Sequence, residues 1–144
     1  MEQEYYTMKG YERQNGEELT AAMEDYLEMI CRLLRQQKVV RIHELAEHLH
    51  VKPSSASKMV RNLKEAGYLD FQKYGYLIIT EKGKRAGDYL LYRHRILNEF
   101  LCFVNHSDSE LAQVEKIEHF MDPRTIENLE RLTQFWKRKE KNTD

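Results

Sequence analysis

Val51-Lys52-Pro53-Ser54-Ser55-Ala56-Ser57-Lys58-Met59-Val60-Arg61-Asn62-Leu63-Lys64-Glu65-Ala66-Gly67 is the stretch whose pattern decides the fold. Pro53 suits the first turn of a helix, where its missing N–H costs nothing, and Gly67 suits the position just past the end. Between them Met59, Val60 and Leu63 form an apolar face, and Ser54, Ser55, Ser57, Lys58, Arg61 and Lys64 are left outside. Small hydroxyl side chains at the N-terminal end allow close approach to base edges, while lysine and arginine along the flank reach phosphates. Upstream, His43 to Leu49 makes a short helix with Leu45, Ala46 and Leu49 inward, and His50-Val51-Lys52 makes a tight turn. Helix, short turn and helix with this outer face predict a helix-turn-helix.

Two β-prone runs follow, Tyr68 to Lys73 and Tyr76 to Ile79, separated by Tyr74-Gly75. That spacing predicts a tight hairpin with glycine at the tip. A helix-turn-helix followed at once by a hairpin is a winged helix. Lys73 and Tyr74 then sit near the wing tip, where a phosphate or minor-groove contact is available; Tyr74 is equally readable as a surface aromatic.

Upstream of this unit, Thr20 can cap a helix running through about Gln36. Its core stripe is Met23, Leu27, Ile30, Cys31 and Leu34. Asp25 and Glu28 lie one turn apart on a second face. Alone they read as solvated acids near a helix N-terminus, where the helix dipole favours negative charge. Val39 to Ile42 is long enough for one edge strand. His43, His48, His50 and His106 read as surface or turn residues. Residues 1 to about 19 are polar, carry Tyr5, Tyr6 and Tyr11, and show no clear period.

Downstream, Thr80 can cap an amphipathic helix from Glu81 to about Val104. Its apolar positions, Leu90, Leu91, Ile96, Leu97, Phe100 and Leu101 among them, exceed what a small winged helix needs. His94 lies in its middle, where a lone histidine is most often structural. Ser107 to Glu110 fits a capping box, opening a helix with Leu111, Val114, Ile117 and Phe120 inward. On a neighbouring face Glu115, Glu118 and His119 fall at i, i+3 and i+4 and point one way. Two carboxylates and an imidazole are costly to hold together without a cation, and they are a donor set that suits a divalent metal. The competing reading is an ordinary solvated helix face. Asp122-Pro123 stops this helix and starts the last one, which runs to about Trp136 with Ile126, Leu129, Leu132, Phe135 and Trp136 apolar.

The pattern divides 144 residues into an N-terminal arm (1–20), a winged-helix DNA-binding domain (21–80), a helical domain (81–136) and a charged tail (137–144). The fold class is mainly α with a small β wing. Hydrophobic residues make up 41% and charged residues 33% of the chain, and no apolar run approaches the ~20 residues that span a bilayer. The start lacks the apolar core of a signal peptide, so the expected location is cytoplasmic, with no membrane partner. Cys31 and Cys102 stand far apart in helical patterns and predict two thiols, not a disulfide or a thiolate zinc site. The net charge of −1 hides an asymmetry: Val51 to Arg85 holds eight bases against three acids, and the remainder is acidic. One basic segment in an acidic chain points to a nucleic-acid partner.

Three helices thus offer Asp25 and Glu28, then His94, then Glu115, Glu118 and His119. With these residues in view, the chain resembles the manganese transport regulators, the two-domain branch of the diphtheria-toxin-repressor (DtxR) family of metal-dependent repressors. The resemblance runs from about Ala22 to Trp136. It rests on Met23-Glu24-Asp25-Tyr26-Leu27-Glu28, on the stretch from Val51 to Val60, on Tyr92-Arg93-His94 and on Glu115-x-x-Glu118-His119. It implies a dinuclear site between the first helix and the dimerisation domain, with Asp25, Glu28, His94, Glu115, Glu118 and His119 as ligands. It implies a homodimer formed through the C-terminal helices, and double-stranded DNA as partner, in the form of a palindromic operator of metal-uptake genes. Pro53, Ser54, Ser55, Ser57, Lys58, Arg61, Lys64, Lys73 and Tyr74 are the DNA-binding candidates. Iron-responsive relatives typically have methionine at Asp25 and cysteine at Glu115, and they continue into an SH3-like domain. Hard oxygen donors at those positions favour Mn2+, while Fe2+, Co2+, Cd2+ or Zn2+ can also bind. An iron-responsive repressor of the same family and a winged-helix regulator without metal control remain alternatives. A carboxylate-bridged di-metal enzyme would place histidine three residues after glutamate. Here Glu118 holds that place after Glu115, so no enzyme is expected.

Overall fold

The computed structural model describes residues 19–72 and 75–143; residues 1–18, Lys73, Tyr74 and Asp144 lie outside the described residues. The elements are α1 (Ala21–Gln36), α2 (Ile42–Leu49), α3 (Pro53–Glu65), β1 (Leu69–Phe71), β2 (Leu77–Ile79), α4 (Glu81–Asn105), α5 (Leu111–Ile117), a 3-10 turn (Glu118–Phe120) and α6 (Pro123–Asn142). The architecture is mainly α with a two-stranded wing. Among the described residues no helix is long and apolar enough to cross a membrane.

The Thr20 hydroxyl accepts the Met23 N–H at 3.2 Å and so caps α1. Leu27, Ile30, Cys31 and Leu33 of α1 are buried, and they share one core with Leu45 of α2 and with Val60 and Leu63 of α3. The α2–α3 turn is made by His50 in the left-handed region, φ 56°, followed by Pro53 at the head of α3. Gly67, at φ +90°, ends α3 in a conformation that only glycine adopts without strain.

In the wing, Leu69 pairs with Ile79 and Phe71 with Leu77, antiparallel. The expected edge strand at Val39–Ile42 shrinks to a single bridge, Arg41 to Tyr76, with the Val40 carbonyl accepting the Leu77 N–H at 2.9 Å. Pairing stops there because Ile42 already begins α2.

The spine is α4, about 38 Å long at 1.5 Å per residue. Its first half, through Leu90, completes the core beneath the winged helix. Its second half, through Ile96 and Leu97, builds another core with Val114 and Ile126. Gly87 lets α1 pass close by, since a Cβ there would collide with Cys31 Sγ. Cys31 is buried and Cys102 half-buried, both as free thiols.

Beyond α4 the structure corrects three expectations. Ser107 does not open a helix: its hydroxyl donates to the Glu110 carboxylate at 2.7 Å, and the Glu110 N–H is satisfied by Asn98 Oδ1 at 2.9 Å, so α5 begins at Leu111. Leu111 and Phe120 are about half exposed instead of facing inward. The last helix does not stop near Trp136 but continues to Asn142. Lys137 to Lys141 are good helix formers, and their cations sit favourably at a helix C-terminus.

Candidate metal centre

α1 presents Asp25 and Glu28 on the face opposite its core stripe. His94 comes from the middle of α4, and Glu115 from α5. The sequence pattern places Glu118 and His119 on the same helix as Glu115, yet α5 ends at Ile117 and both lie in the 3-10 turn. The tighter turn carries Glu118 inward to full burial, 0% exposed, and swings His119 toward α1. Glu28 and His94 are also buried, whereas the Glu115 side chain is 54% exposed.

All six predicted residues meet in two groups. Glu28, His94, Glu115 and Glu118 form one; Asp25, Glu118 and His119 form the other. In each group the potential ligand atoms lie within 4.8 Å of one another. His94 Nδ1 is 3.0 Å from Glu118 Oε2, 3.5 Å from Glu28 Oε1 and 3.8 Å from Glu115 Oε1. His119 Nε2 is 2.9 Å from Asp25 Oδ1 and 3.9 Å from Glu118 Oε1. Glu118 therefore offers one oxygen to each group. A cleft of about 210 Å³ beside the centre is lined by Asp25, Glu28, Arg32 and Glu115, and by Leu49 of the helix-turn-helix.

The electrostatics are those of converging anions. Burial, followed by the charge of Glu118, pushes Glu28 up to about 7, against the pull of His94 and Arg32. The Glu115 carboxyl is raised by burial and then by Glu118. His94 is raised by its hydrogen bond to Glu118. His119 is pushed up to about 10 by hydrogen bonds to Asp25 and Glu24. Glu118 Oε1 is buried with no hydrogen-bond partner. A buried carboxylate oxygen left unpaired is costly, and a divalent cation supplies the missing partner. The donor set is four carboxylates and two imidazoles without sulfur, which fits Mn2+ and Fe2+ as well as borderline ions.

Two residues of this neighbourhood escape the sequence pattern. Glu24 Oε1 lies 3.0 Å from His119 Nδ1, and Arg93, only 3% exposed, donates to both oxygens of Glu24 at 3.2 and 3.5 Å. Glu24 is one residue from Asp25, and Arg93 is one from His94. Nothing local distinguishes either from a solvated charge.

On the outer face of α3, Pro53, Ser54, Ser55, Lys58, Arg61 and Lys64 are exposed and Ser57 is half-buried, while Ala56, Val60 and Leu63 point into the core. Lys64 is partly engaged, 3.4 Å from Asp70 and over the Phe71 ring. The candidate contacts Lys73 and Tyr74 lie outside the described residues. At the other end of the molecule, Val104, Leu132, Phe135 and Trp136 leave an apolar face 45–52% exposed along α4 and α6.

The family model for the iron dependent repressor N-terminal DNA binding domain matches residues 18–77, and that for the iron dependent repressor metal binding and dimerisation domain matches residues 80–143. The chain is 39% identical over 119 residues to the HTH-type transcriptional regulator MntR of Oceanobacillus iheyensis, covering 82% of this chain and 81% of that protein. It is 40% identical over 118 residues to the regulator of the same name in Bacillus pumilus, covering 81% and 82%. The solved structure of the manganese regulator SloR superposes with a TM-score of 0.70 at 23% identity, covering 78% of this chain and 54% of that one. This chain thus spans about half the length of SloR, and at that identity the likeness shows the fold alone. With the two domain models together matching residues 18–77 and 80–143 and relatives near 40% identity over most of its length, the chain belongs to the iron dependent repressor family of metal-dependent, DNA-binding transcriptional regulators, and it is not an enzyme.

Proposed function

We propose that this chain is a manganese-responsive repressor, whose dinuclear centre would be held by Asp25, Glu28, His94, Glu115, Glu118 and His119, with Glu118 offering one oxygen to each half. The observation that carries it is the sharing of Glu118: its two oxygens face two separate ligand groups, each completed by a residue of α1. The sulfur-free donor set and the MntR relatives support manganese over softer ions. A bound divalent ion supplies the positive charge that four converging carboxylates need.

Asp25 and Glu28 then tie α1, and the winged helix packed on it, to His94, Glu115, Glu118 and His119. We place the division between the two units at Thr80, with 21–80 as the DNA-binding domain and 81–136 as the core of the second. The apolar face of Val104, Leu132, Phe135 and Trp136 suits a second copy of the chain. In a two-fold dimer a fixed α1 sets the separation of the two α3 helices near one DNA turn, ~34 Å or a multiple of it. Pro53, Ser54, Ser55 and Ser57 then reach base edges, while Lys58, Arg61 and Lys64 hold phosphates; Lys73 and Tyr74 extend this on the wing. The target is a palindromic operator at metal-uptake genes. A tenfold to hundredfold gain in DNA affinity on loading needs a coupling of only ~1.4–3 kcal/mol.

The test is selection from a palindromic DNA library by metal-stripped protein, with and without manganese, iron, cobalt or zinc at fixed salt. Binding promoted by manganese and lost in Glu115→Ala supports the proposal. Promotion by iron alone makes the chain an iron sensor. Equal binding under every condition leaves a winged-helix regulator without metal control.

A further inference from the structure

We propose, resting on the metal-centre reading above, that Glu24 is a positioning residue for the Asp25–Glu118–His119 group, accepting the Nδ1 proton of His119 so that Nε2 is left for the metal, with Arg93 holding Glu24 in place.

Three elements meet at this contact: Glu24 on α1, Arg93 on α4 and His119 in the 3-10 turn. The imidazole is clamped on both nitrogens. Nε2 faces the ligand oxygens, 2.9 Å from Asp25 Oδ1 and 3.9 Å from Glu118 Oε1. Nδ1 faces away from them, 3.0 Å from Glu24 Oε1. A neutral histidine ligates through one nitrogen while the other carries the proton, and the hydrogen bond to that other nitrogen selects the tautomer. Only the tautomer with the proton on Nδ1 leaves Nε2 free.

Arg93 makes the choice sharp. Its Nη2 stands 3.4 Å from the same Nδ1, a donor that would stabilise the opposite tautomer, with the proton on Nε2. Glu24 is nearer to Nδ1, and it also occupies Arg93 by accepting from Nη1 at 3.2 Å and from Nη2 at 3.5 Å. The side chains of Arg93 and Glu24 are only 4% and 15% exposed, so the pair is shielded from solvent and little water competes for it. Removing Glu24 does more than delete a support. It frees Arg93 to donate to Nδ1 and to drive the proton onto the ligating nitrogen. In the other ligand group it is Nδ1 of His94 that faces the ligand oxygens, those of Glu118 and Glu28.

The experiment is stepwise manganese binding by the full chain, followed by the resonance of the free ion at fixed pH and salt. It compares wild type, Glu24→Gln, Glu24→Ala, Arg93→Met and the double variant Glu24→Ala/Arg93→Met. In Glu24→Ala the ion at the Asp25–Glu118–His119 group should weaken by roughly 10–100-fold and the other ion by less than about threefold, the range seen for outer partners of ligating histidines. Glu24→Gln should lose less, since the amide oxygen still accepts a hydrogen bond. Adding Arg93→Met to Glu24→Ala should restore part of the loss, which a merely structural role for Glu24 would not produce. In cadmium-loaded wild type, long-range proton–nitrogen correlation should place the metal on Nε2 and the proton on Nδ1 of His119. Should Glu24→Ala fail to fold, Glu24→Gln carries the comparison. Unchanged affinity for that ion, an equal loss at both ions, or metal on Nδ1 of His119 overturns the proposal. A wild-type chain that takes up no manganese overturns the metal centre itself.

Discussion

Loading the centre with manganese should release at least about one and a half protons per chain at pH 7. His119, held near 10, is fully protonated at that pH, and the Nε2 proton must leave before that nitrogen can ligate. Glu28, pushed up to about 7, is half protonated and gives up about half a proton on average. His94, raised above its ordinary 6.5 by its hydrogen bond to Glu118, adds to that release. Protons and metal compete for the same lone pairs, so affinity falls as pH falls, and the summed log affinity of the bound ions should rise by at least about 1.5 per pH unit near neutrality. Calorimetry at pH 7 in buffers of different ionisation enthalpy reads the proton count directly. A count near zero, or affinity that is flat with pH, would refute the assignment of His119 and Glu28 as ligands.

The same shifts set the pH dependence of the apoprotein. His119 and Glu28 both bind protons more tightly in the folded chain than in the unfolded one. Their stabilisation is fully present below the ordinary 6.5 and 4.5, and it is lost as pH rises through about 10 and about 7. The apoprotein's thermal midpoint should therefore drop as pH is raised from about 5 to about 9, and the gain in midpoint on adding manganese should widen.

Gly87→Ala should destabilise the fold by about 1–3 kcal/mol in urea unfolding, because the new methyl meets Cys31 Sγ and Cβ, and Cys31→Ala in the same chain should recover part of it. Glu replacing both Leu132 and Phe135 should leave a monomer in sedimentation that still binds manganese; a persistent dimer would move the interface elsewhere. Arg61→Ala should weaken DNA binding across sequences and lower the slope of log affinity against log salt by about 0.9, and an unchanged slope would remove Arg61 from the phosphate contacts.

Much of the fold was legible because its punctuation is local. Pro53, Gly67, Thr20 and Thr80 mark ends through their own backbone chemistry, and the caps form where those residues stand. The metal candidates were legible as residue types, but not their arrangement. A one-turn switch from α to 3-10 after Ile117 leaves no trace in a periodicity averaged over several turns, yet it decides where Glu118 and His119 point. Glu24 was illegible for another reason. Its partners Arg93 and His119 lie 69 and 95 positions away, and charged residues paired at such separations carry no local signature. His50 and His106 take left-handed helix ends where glycine or asparagine is usual, so a turn was readable at His50 but not the backbone conformation that makes either helix end. Phe120, Leu111 and Leu132 share a limit: an apolar helix face tells that something covers it, not whether the cover is the same chain.

The position of α1 explains how a change at the centre can reach DNA. One face of α1, with Leu27, Ile30 and Leu33, is locked in the core that also holds Leu45 of α2 and Val60 and Leu63 of α3. The other face carries Asp25, Glu28 and Glu24, all directed at the second domain. Close-packed cores transmit displacement instead of absorbing it, so the winged helix must follow α1. Without added positive charge, Glu28, Glu115 and Glu118 oppose the approach of α1, while the Arg93–Glu24 pair and protonated His119, set against Glu24 and Asp25, favour it. These opposing terms act across one junction, so on the proposed reading a coupling of a few kcal/mol from the metal would be enough to set the spacing of the two α3 helices. A centre built only of satisfied pairs would hold α1 in place at all times, and DNA binding would no longer depend on metal.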